Sequence, residues 1–228
     1  MSRARHELKH YITTADYYEL KSRLPAVMEQ DSHAGESGQY LIRSLYFDDD
    51  FDTCLREKLD GVRNRDKYRI RYYNHDPASI IHLEKKSKRG DACIKTSAVL
   101  SMQQAQSIVD GDIAWMKEHE DPLIRELYRK MAFTSLKPKT IVDYVRDPYI
   151  YHFGNVRVTL DHDIRTGLNC TDFLDPECVT VPIPEGHAII LEVKWDDFLP
   201  EIIRELVRVK NRRVTAFSKY GACRGYGI

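Results

Sequence analysis

Charged side chains recur two apart within runs that otherwise read as β-strands. Arg69-Ile70-Arg71 lies in KYRIRYYN, Glu84-Lys85-Lys86 in IIHLEKK, Glu192-Val193-Lys194 in IILEVKW, and Arg5-His6-Glu7-Leu8-Lys9 in RARHELKHYI. Residues two apart on a strand share a face, so each segment sets two or more charges on one side. An ordinary sheet does not bury such a face, because unpaired charges are costly to desolvate. A barrel with a wet, charged interior accommodates it.

Extending the alternation gives one inward set. It holds Arg5, Glu7 and Lys9; Arg69 and Arg71; His82, Glu84 and Lys86; Lys95; Arg146; Arg157, Thr159 and Asp161; and Glu192 and Lys194. Lys58 precedes the Asp60-Gly61 turn. The intervening Ile70, Leu83, Ile94, Val145, Val156, Val158, Leu160, Leu191 and Val193 are apolar and are expected to pack outward under helices. For any one strand, a solvated charged face is the simpler reading. Such faces usually mix Thr, Ser and Gln with Lys. Here the cations are Arg and Lys at matched phase, and Arg is suited to bidentate phosphate contacts. The pattern therefore predicts an interior lined for polyphosphate.

The organisation agrees with a closed fold. Strands are expected over 5–12, 40–47, 67–74, 80–86, 93–99, 140–146, 149–153, 156–161 and 188–195. Helices are expected after Thr14 to about Met28, after the Ser101/Gln104 capping box with Gly111 as C-cap, after Asp121-Pro122, and after Pro200. Loops are expected at 31–38, 74–79, 88–91 and 169–186. This predicts an α+β fold, a closed antiparallel β tunnel barrel with flanking helices, in one domain over 1–228.

Composition narrows the function classes. Lys+Arg 35 against Asp+Glu 35 gives no net charge, which argues against a nucleic-acid binder working through a basic surface. The five cysteines form no C-x-x-C pair, so free thiols in a reducing cytosol are expected rather than a zinc site. No signal-peptide or membrane-spanning run is read, so the chain is expected to be cytoplasmic, with room for recruitment by a membrane partner. Its oligomeric state is not legible. The nine histidines, His33 and His75 among them, show no metal-ligand spacing. Asp48-Asp49-Asp50 reads as a strand-ending acidic turn, and Lys219, on its neighbours alone, as a surface lysine.

Phosphoryl transfer needs positioning and charge neutralisation more than covalent chemistry. A ring of Arg and Lys supplies both. Glu192, with Glu84 and Glu7, could hold Mg²⁺ or Mn²⁺, which bridges phosphates. Walker A, G-x-G-x-x-G and protein-kinase signatures are absent from the sequence.

With those residues in view, the chain resembles the VTC-domain polyphosphate polymerases, a branch of the triphosphate tunnel metalloenzymes. The segments that carry the resemblance are RSLYFDDD, REKLDG, KYRIRYY, LEKK, VDYVRDPYIY, VRVTLD, ILEVKW and AFSKY. The resemblance implies a metal-dependent phosphotransferase that passes the γ-phosphate of ATP to a growing inorganic polyphosphate. It implies phosphate-binding roles for Lys9, Lys58, Arg69, Arg71, Lys86, Lys95, Arg146, Arg157, Lys194, Ser218 and Lys219, with Arg69, Arg71 and Lys219 at the reacting phosphate and Glu192 on the metal. Two positions depart from the pattern. Arg5 stands where the hydrolase and cyclase branches carry the first Glu of Glu-x-Glu-x-Lys, and Ala216 stands where some relatives carry a basic residue. Arg5 removes a candidate ligand and favours a polymerase over a triphosphatase acting on inorganic or organic triphosphate. A non-catalytic polyphosphate or inositol-phosphate binding module is the third reading, and an inward Glu192 argues against it.

Overall fold

Apolar residues at alternate positions, opposite the charged ones, organise the molecule. The computed structural model describes residues 6–32, 34–35, 37–74, 76–90, 92–210 and 213–226. Arg5, His33, His75 and Asp91 lie outside them.

Among the described residues one sheet holds eleven strands. They are β1 (His6–Ile12), β2 (Glu29–Gln30), β3 (Tyr40–Asp48), β4 (Asn64–Tyr73), β5 (Ile81–Arg89), β6 (Ala92–Leu100), β7 (Lys137–Tyr151), β8 (Val156–Thr166), β9 (Val181–Pro182), β10 (Ile189–Trp195) and β11 (Arg213–Val214). The helices are α1 (Thr14–Arg23), α2 (Thr53–Leu59), α3 (Met102–Asp110), α4 (Pro122–Thr134), α5 (Glu201–Leu206) and α6 (Lys219–Cys223). The strand order is β11-β1-β10-β8-β7-β3-β4-β5-β6, with β2 on β7 and β9 on β8. Every recorded pairing is antiparallel.

The α+β class and antiparallel sheet are as the sequence predicts, but the expected closed barrel is corrected. Among the described residues no ladder joins β6 back to β1 or β11. The outer edge of β1 is already used. β11 pairs there through His10↔Val214 and Tyr11↔Arg213, and Thr215 N donates to Lys9 O at 2.9 Å. The C-terminal segment thus takes the hydrogen bonds that closure would need. The sheet still curls far enough for side chains to bridge the gap, since Lys86 on β5 lies 3.3 Å from Glu7 on β1.

Two apolar clusters lie outside the curl. Ile70, Leu83, Leu100 and Ile141 pack with Ile108 of α3 and Ile124 and Leu127 of α4. Val158, Leu160, Leu191 and Val193 pack with Leu20 of α1 and Ile203 of α5. Burying one such aliphatic side chain contributes about 1.5–3 kcal/mol, so these clusters are what bend and hold the sheet. Of the predicted outward set, Ile94 differs: it is 42 % exposed on edge strand β6.

The helix ends follow local chemistry. Ser101 Oγ accepts from Gln104 N and Gln104 Oε1 from Ser101 N, at 3.1 and 2.9 Å, and Gly111 closes α3 at φ +80°. Asp121 Oδ1 accepts from Leu123 N at 2.7 Å ahead of Pro122. Thr13 and Asp16 make a further capping box that opens α1. The first helix is shorter than expected, because Pro25 turns residues 24–26 into a 3₁₀ segment. The expected 140–146 and 149–153 strands are one strand. Pro148 lies past the end of the β3–β7 ladder, where its missing N–H costs no bond to β3. Asp48 ends β3 and a turn follows at Asp50 and Phe51, as expected. Asp48 is buried, and its carboxylate accepts from Asp49 N, Cys54 N, Leu55 N and the Tyr220 hydroxyl, fixing α2 and α6 to the end of β3.

Candidate active site

The curl places the two-residue phase of seven strands around one space. Register pairs fix the faces: Glu7↔Lys194 and Lys9↔Glu192 between β1 and β10, Glu192↔Thr159 between β10 and β8, Arg146↔Asp161 between β8 and β7, Ser44↔Arg71 and Tyr46↔Arg69 between β3 and β4, and Arg69↔Glu84 and Lys67↔Lys86 between β4 and β5. Directly opposed residues project to the same side, so the inward set is one surface.

The carboxylates sort the cations into three groups. Glu84 holds Arg69 (Nε 2.7 Å) and Lys95 (2.5 Å), with Arg71 at 3.9 Å. Asp161, fully buried, holds Arg146 at 2.6 and 2.8 Å and Lys219 at 2.5 Å. Glu7 and Glu192 share Lys9 (2.9 and 3.2 Å) and Lys194 (3.6 and 2.9 Å). Arg146 stands 3.6 Å from Glu192. Burial opposes the ionised form of Glu84, Asp161 and Glu192, yet the cations around each outweigh it and lower all three pKa values. Burial likewise works against charge on Lys9, Arg69 and Arg146. Glu192 and Glu7, Tyr46 and Glu84, and Asp161 respectively hold them firmly protonated.

Depth varies around the space. The side chains of Lys86 and Lys95 are 51 % and 58 % exposed, that of Arg69 25 %, and that of Arg71 5 %. At the inner end Arg71 donates to Ser44 Oγ (2.9 Å) and the Tyr144 hydroxyl (3.1 Å). Lys219 lies 4.5 Å over the Tyr144 ring. Below that level the lining turns apolar, with Ile42, Val142, Ile164, Ile190 and Tyr220 in one cluster. Helix α6 packs against this cluster through Tyr220 and Ala222. Ser218 caps it by accepting from Gly221 N at 3.2 Å and also accepts from Lys67 at 3.3 Å.

The predicted site residues mostly meet here. Lys9, Arg69, Arg71, Lys86, Lys95, Arg146, Lys194, Ser218 and Lys219 line the space, and Lys58 reaches its mouth from α2, where Arg65, Lys9, Lys88 and Lys86 surround it. Arg157 shares their face, opposite Lys194, but Asp31 takes its guanidinium at 3.0 Å. Lys219 is not the surface residue its neighbours suggest. It opens α6 and only 12 % of its side chain is exposed. The three predicted metal carboxylates separate into Glu7 with Glu192 and, elsewhere, Glu84 among its own three cations. Among the described residues no three His, Cys, Asp or Glu side chains converge.

Sequence reasoning missed Lys67, although it shares the phase of Arg69 and Arg71. It also left out Tyr46 and Tyr144, which read as ordinary core aromatics. Tyr46 accepts from Arg69 at 2.7 Å. Burial alone would push its phenol up, but Arg69 and Arg71 bring it down to about 8. Burial, helped by Lys58 and Arg65, likewise brings the Lys67 ammonium down to about 8. Thr159 Oγ1, opposite Glu192, is buried and has no hydrogen-bond partner among the described residues.

The family model of the VTC domain matches residues 4–226. No curated protein matches the chain. A Bacillus halodurans crystal structure, described as a candidate adenylate cyclase, is 17 % identical with a TM-score of 0.55, covering 90 % of this chain and 86 % of that one. A conserved hypothetical protein from Pyrococcus furiosus is 13 % identical with a TM-score of 0.43, over 90 % of this chain and 86 % of its own. The first of these shares the fold. The match over nearly the whole length, together with the inward cation array, establishes that the chain belongs to the VTC domain family.

Proposed function

We propose that the protein is a metal-dependent polyphosphate polymerase that transfers the γ-phosphate of ATP to an inorganic polyphosphate held in the curled sheet, which works as a tunnel. The observation that carries this reading is the enclosed face on which Lys9, Lys67, Arg69, Arg71, Arg146, Lys194 and Lys219 outnumber Glu7, Glu84, Asp161 and Glu192. Each carboxylate is an internal stand-in for an anion, and an incoming phosphate chain can take over its contacts at little cost in rearranged charge. Arg and Lys so placed bind equatorial phosphoryl oxygens and neutralise the charge spread over them during transfer.

An acceptor phosphate oxygen forms the new P–O bond to the γ-phosphorus as the bond to the β-phosphate oxygen breaks, and ADP leaves. Arg69 and Arg71, inner and fixed by Glu84, Tyr46, Ser44 and Tyr144, orient the reacting phosphates. Lys219 supplies charge from the α6 side. Glu192 with Glu7 suits Mg²⁺ or Mn²⁺, since such ions use one or two carboxylates plus phosphates and the orphaned Thr159 hydroxyl lies beside them. A metal held there would neutralise phosphate charge. Glu84, which stands apart from that pair among Arg69, Arg71 and Lys95, is then a counter-ion for the phosphate-binding arginines.

No helix among the described residues is long and apolar enough to cross a membrane. A cytoplasmic setting, with recruitment to a membrane by a partner, belongs to the same proposal. The test is incubation with ATP and Mn²⁺, with products resolved on a polyphosphate-staining gel and ADP measured in parallel. Long chains with matching ADP are expected. ADP with free phosphate and no chains would make the protein a triphosphatase, and bound triphosphate with no turnover would make it a receptor.

A further inference from the structure

The inward phase of β4 and β5 continues past the ion-paired interior. β4 carries Arg71, Arg69, Lys67 and Arg65 in one phase, and β5 sets His82, Glu84, Lys86 and Lys88 opposite them. At about 3.4 Å per residue, Arg71 to Arg65 spans roughly 20 Å, longer than a triphosphate.

The chemistry changes along that line. At the Arg71 end the cations have Ser44, Tyr144, Tyr46 and Glu84 as partners. At the other end, among the described residues, no carboxylate forms an ion pair with Arg65, Lys88 or Lys58. Arg65 donates to the Val62 carbonyl oxygen. Asp66 and its partner Arg89 belong to the opposite face. Glu57 feels the Arg65 charge but, among the described residues, makes no ion pair with it, and burial, Asp66 and Asp48 push its carboxyl up. Burial and four cations, Arg65, Lys9, Lys88 and Lys86, all disfavour the charge on Lys58. Gathering like charges destabilises a fold unless an anion neutralises them.

We propose that Lys58, Arg65 and Lys88 form an external track that binds a linear inorganic polyphosphate beyond the interior site, so that one chain lies across the mouth and along the β4–β5 ribbon. The proposal rests on the polyphosphate reading of the interior. It adds a second ligand segment whose contacts, on the half-buried Lys58, Arg65 and Lys88, are electrostatic.

The test compares sodium tripolyphosphate with long-chain sodium polyphosphate, each titrated calorimetrically without nucleotide into the full chain, the R65A/K88A variant and the charge-reversed R65E/K88E variant. Melting curves check that both variants are folded. The wild type is expected to bind the long chain more tightly. R65A/K88A should weaken that binding roughly five- to tenfold and R65E/K88E further, with tripolyphosphate affinity unchanged. The salt dependence of long-chain binding should become shallower in both. Equal loss for both ligands, or a long-chain preference that survives charge reversal, would overturn the track. So would equal competition by a single-stranded oligonucleotide. Long-chain binding that needs Arg65 and Lys88 in a protein indifferent to tripolyphosphate would uphold the track and refute the interior site. Binding of neither ligand would refute both.

Discussion

Replacing Glu192 with Gln should destabilise the empty protein and make its stability depend on an added anion. The Glu192 side chain is 6 % exposed, with Lys194 at 2.9 Å, Lys9 at 3.2 Å and Arg146 at 3.6 Å. An amide of the same shape keeps the packing and removes the charge, leaving three cations to repel one another. Breaking a buried ion pair costs about 3–5 kcal/mol. The partner side chains are 12–29 % exposed, and Glu7 still holds Lys9 and Lys194, so the lower end, ~3 kcal/mol, applies. For a chain of this size that lowers the melting temperature by roughly 6–12 °C. Tripolyphosphate at about 100 times its Kd should return ~2.7 kcal/mol, nearly the whole loss. Differential scanning fluorimetry at neutral pH, without metal and with and without tripolyphosphate, reads both effects. An E192Q protein that melts within ~2 °C of wild type without the anion would refute the claim that this carboxylate balances the inner cations. Turnover with Mn²⁺ unchanged in the same variant would refute its role on the metal.

Three further outcomes follow from the charge arrangement. Tripolyphosphate affinity should fall as pH rises through about 8, because Tyr46 gains a negative charge beside Arg69 and Lys67 loses a positive one over the same range. Y46F should remove part of that fall and K67M the rest, each on the order of threefold, and a flat profile in the wild type would contradict it. In acid, the folded pKa values of Glu84, Asp161 and Glu192 lie below the unfolded values of about 4. Their stabilisation is therefore complete above about pH 5 and lost as pH falls through the folded values. The urea midpoint should hold between pH 7 and 5 and drop below 4, less steeply in E84Q. On the other face of the sheet, Arg43 is almost wholly buried and grips Asp143 through Nε (3.0 and 3.2 Å) and Nη2 (2.9 Å). R43M should cost about 3–5 kcal/mol by urea unfolding, because it strands the carboxylate, and R43M/D143L should recover much of that.

The alternation in KYRIRYYN, IIHLEKK and IILEVKW was enough to place Arg69, Arg71, Glu84, Lys86, Glu192 and Lys194 on one face and Ile70, Leu83, Leu191 and Val193 on the other, because a strand has a period of two and no freedom to depart from it over a few residues. The helix caps at Ser101 and Asp121 were legible for the same local reason. Lys67 was legible in principle, one step further along the phase. What the sequence could not decide was which charges meet. Glu7 joins Lys86 across the open side of the sheet, and Asp161 joins Lys219 from the far end of the chain. Such pairs depend on how far the sheet curls, which the packing of α1, α3, α4 and α5 outside it sets. Closure was misread because the segment after residue 213 takes the β1 edge. Arg157 turned to Asp31 because a turn brings that carboxylate within reach. The sequence by itself determined the chemistry of each face, through local periodicity. Only the tertiary structure decided the partners, the depth of each group and the shifted pKa values, because charge interactions act through space between residues far apart in the chain.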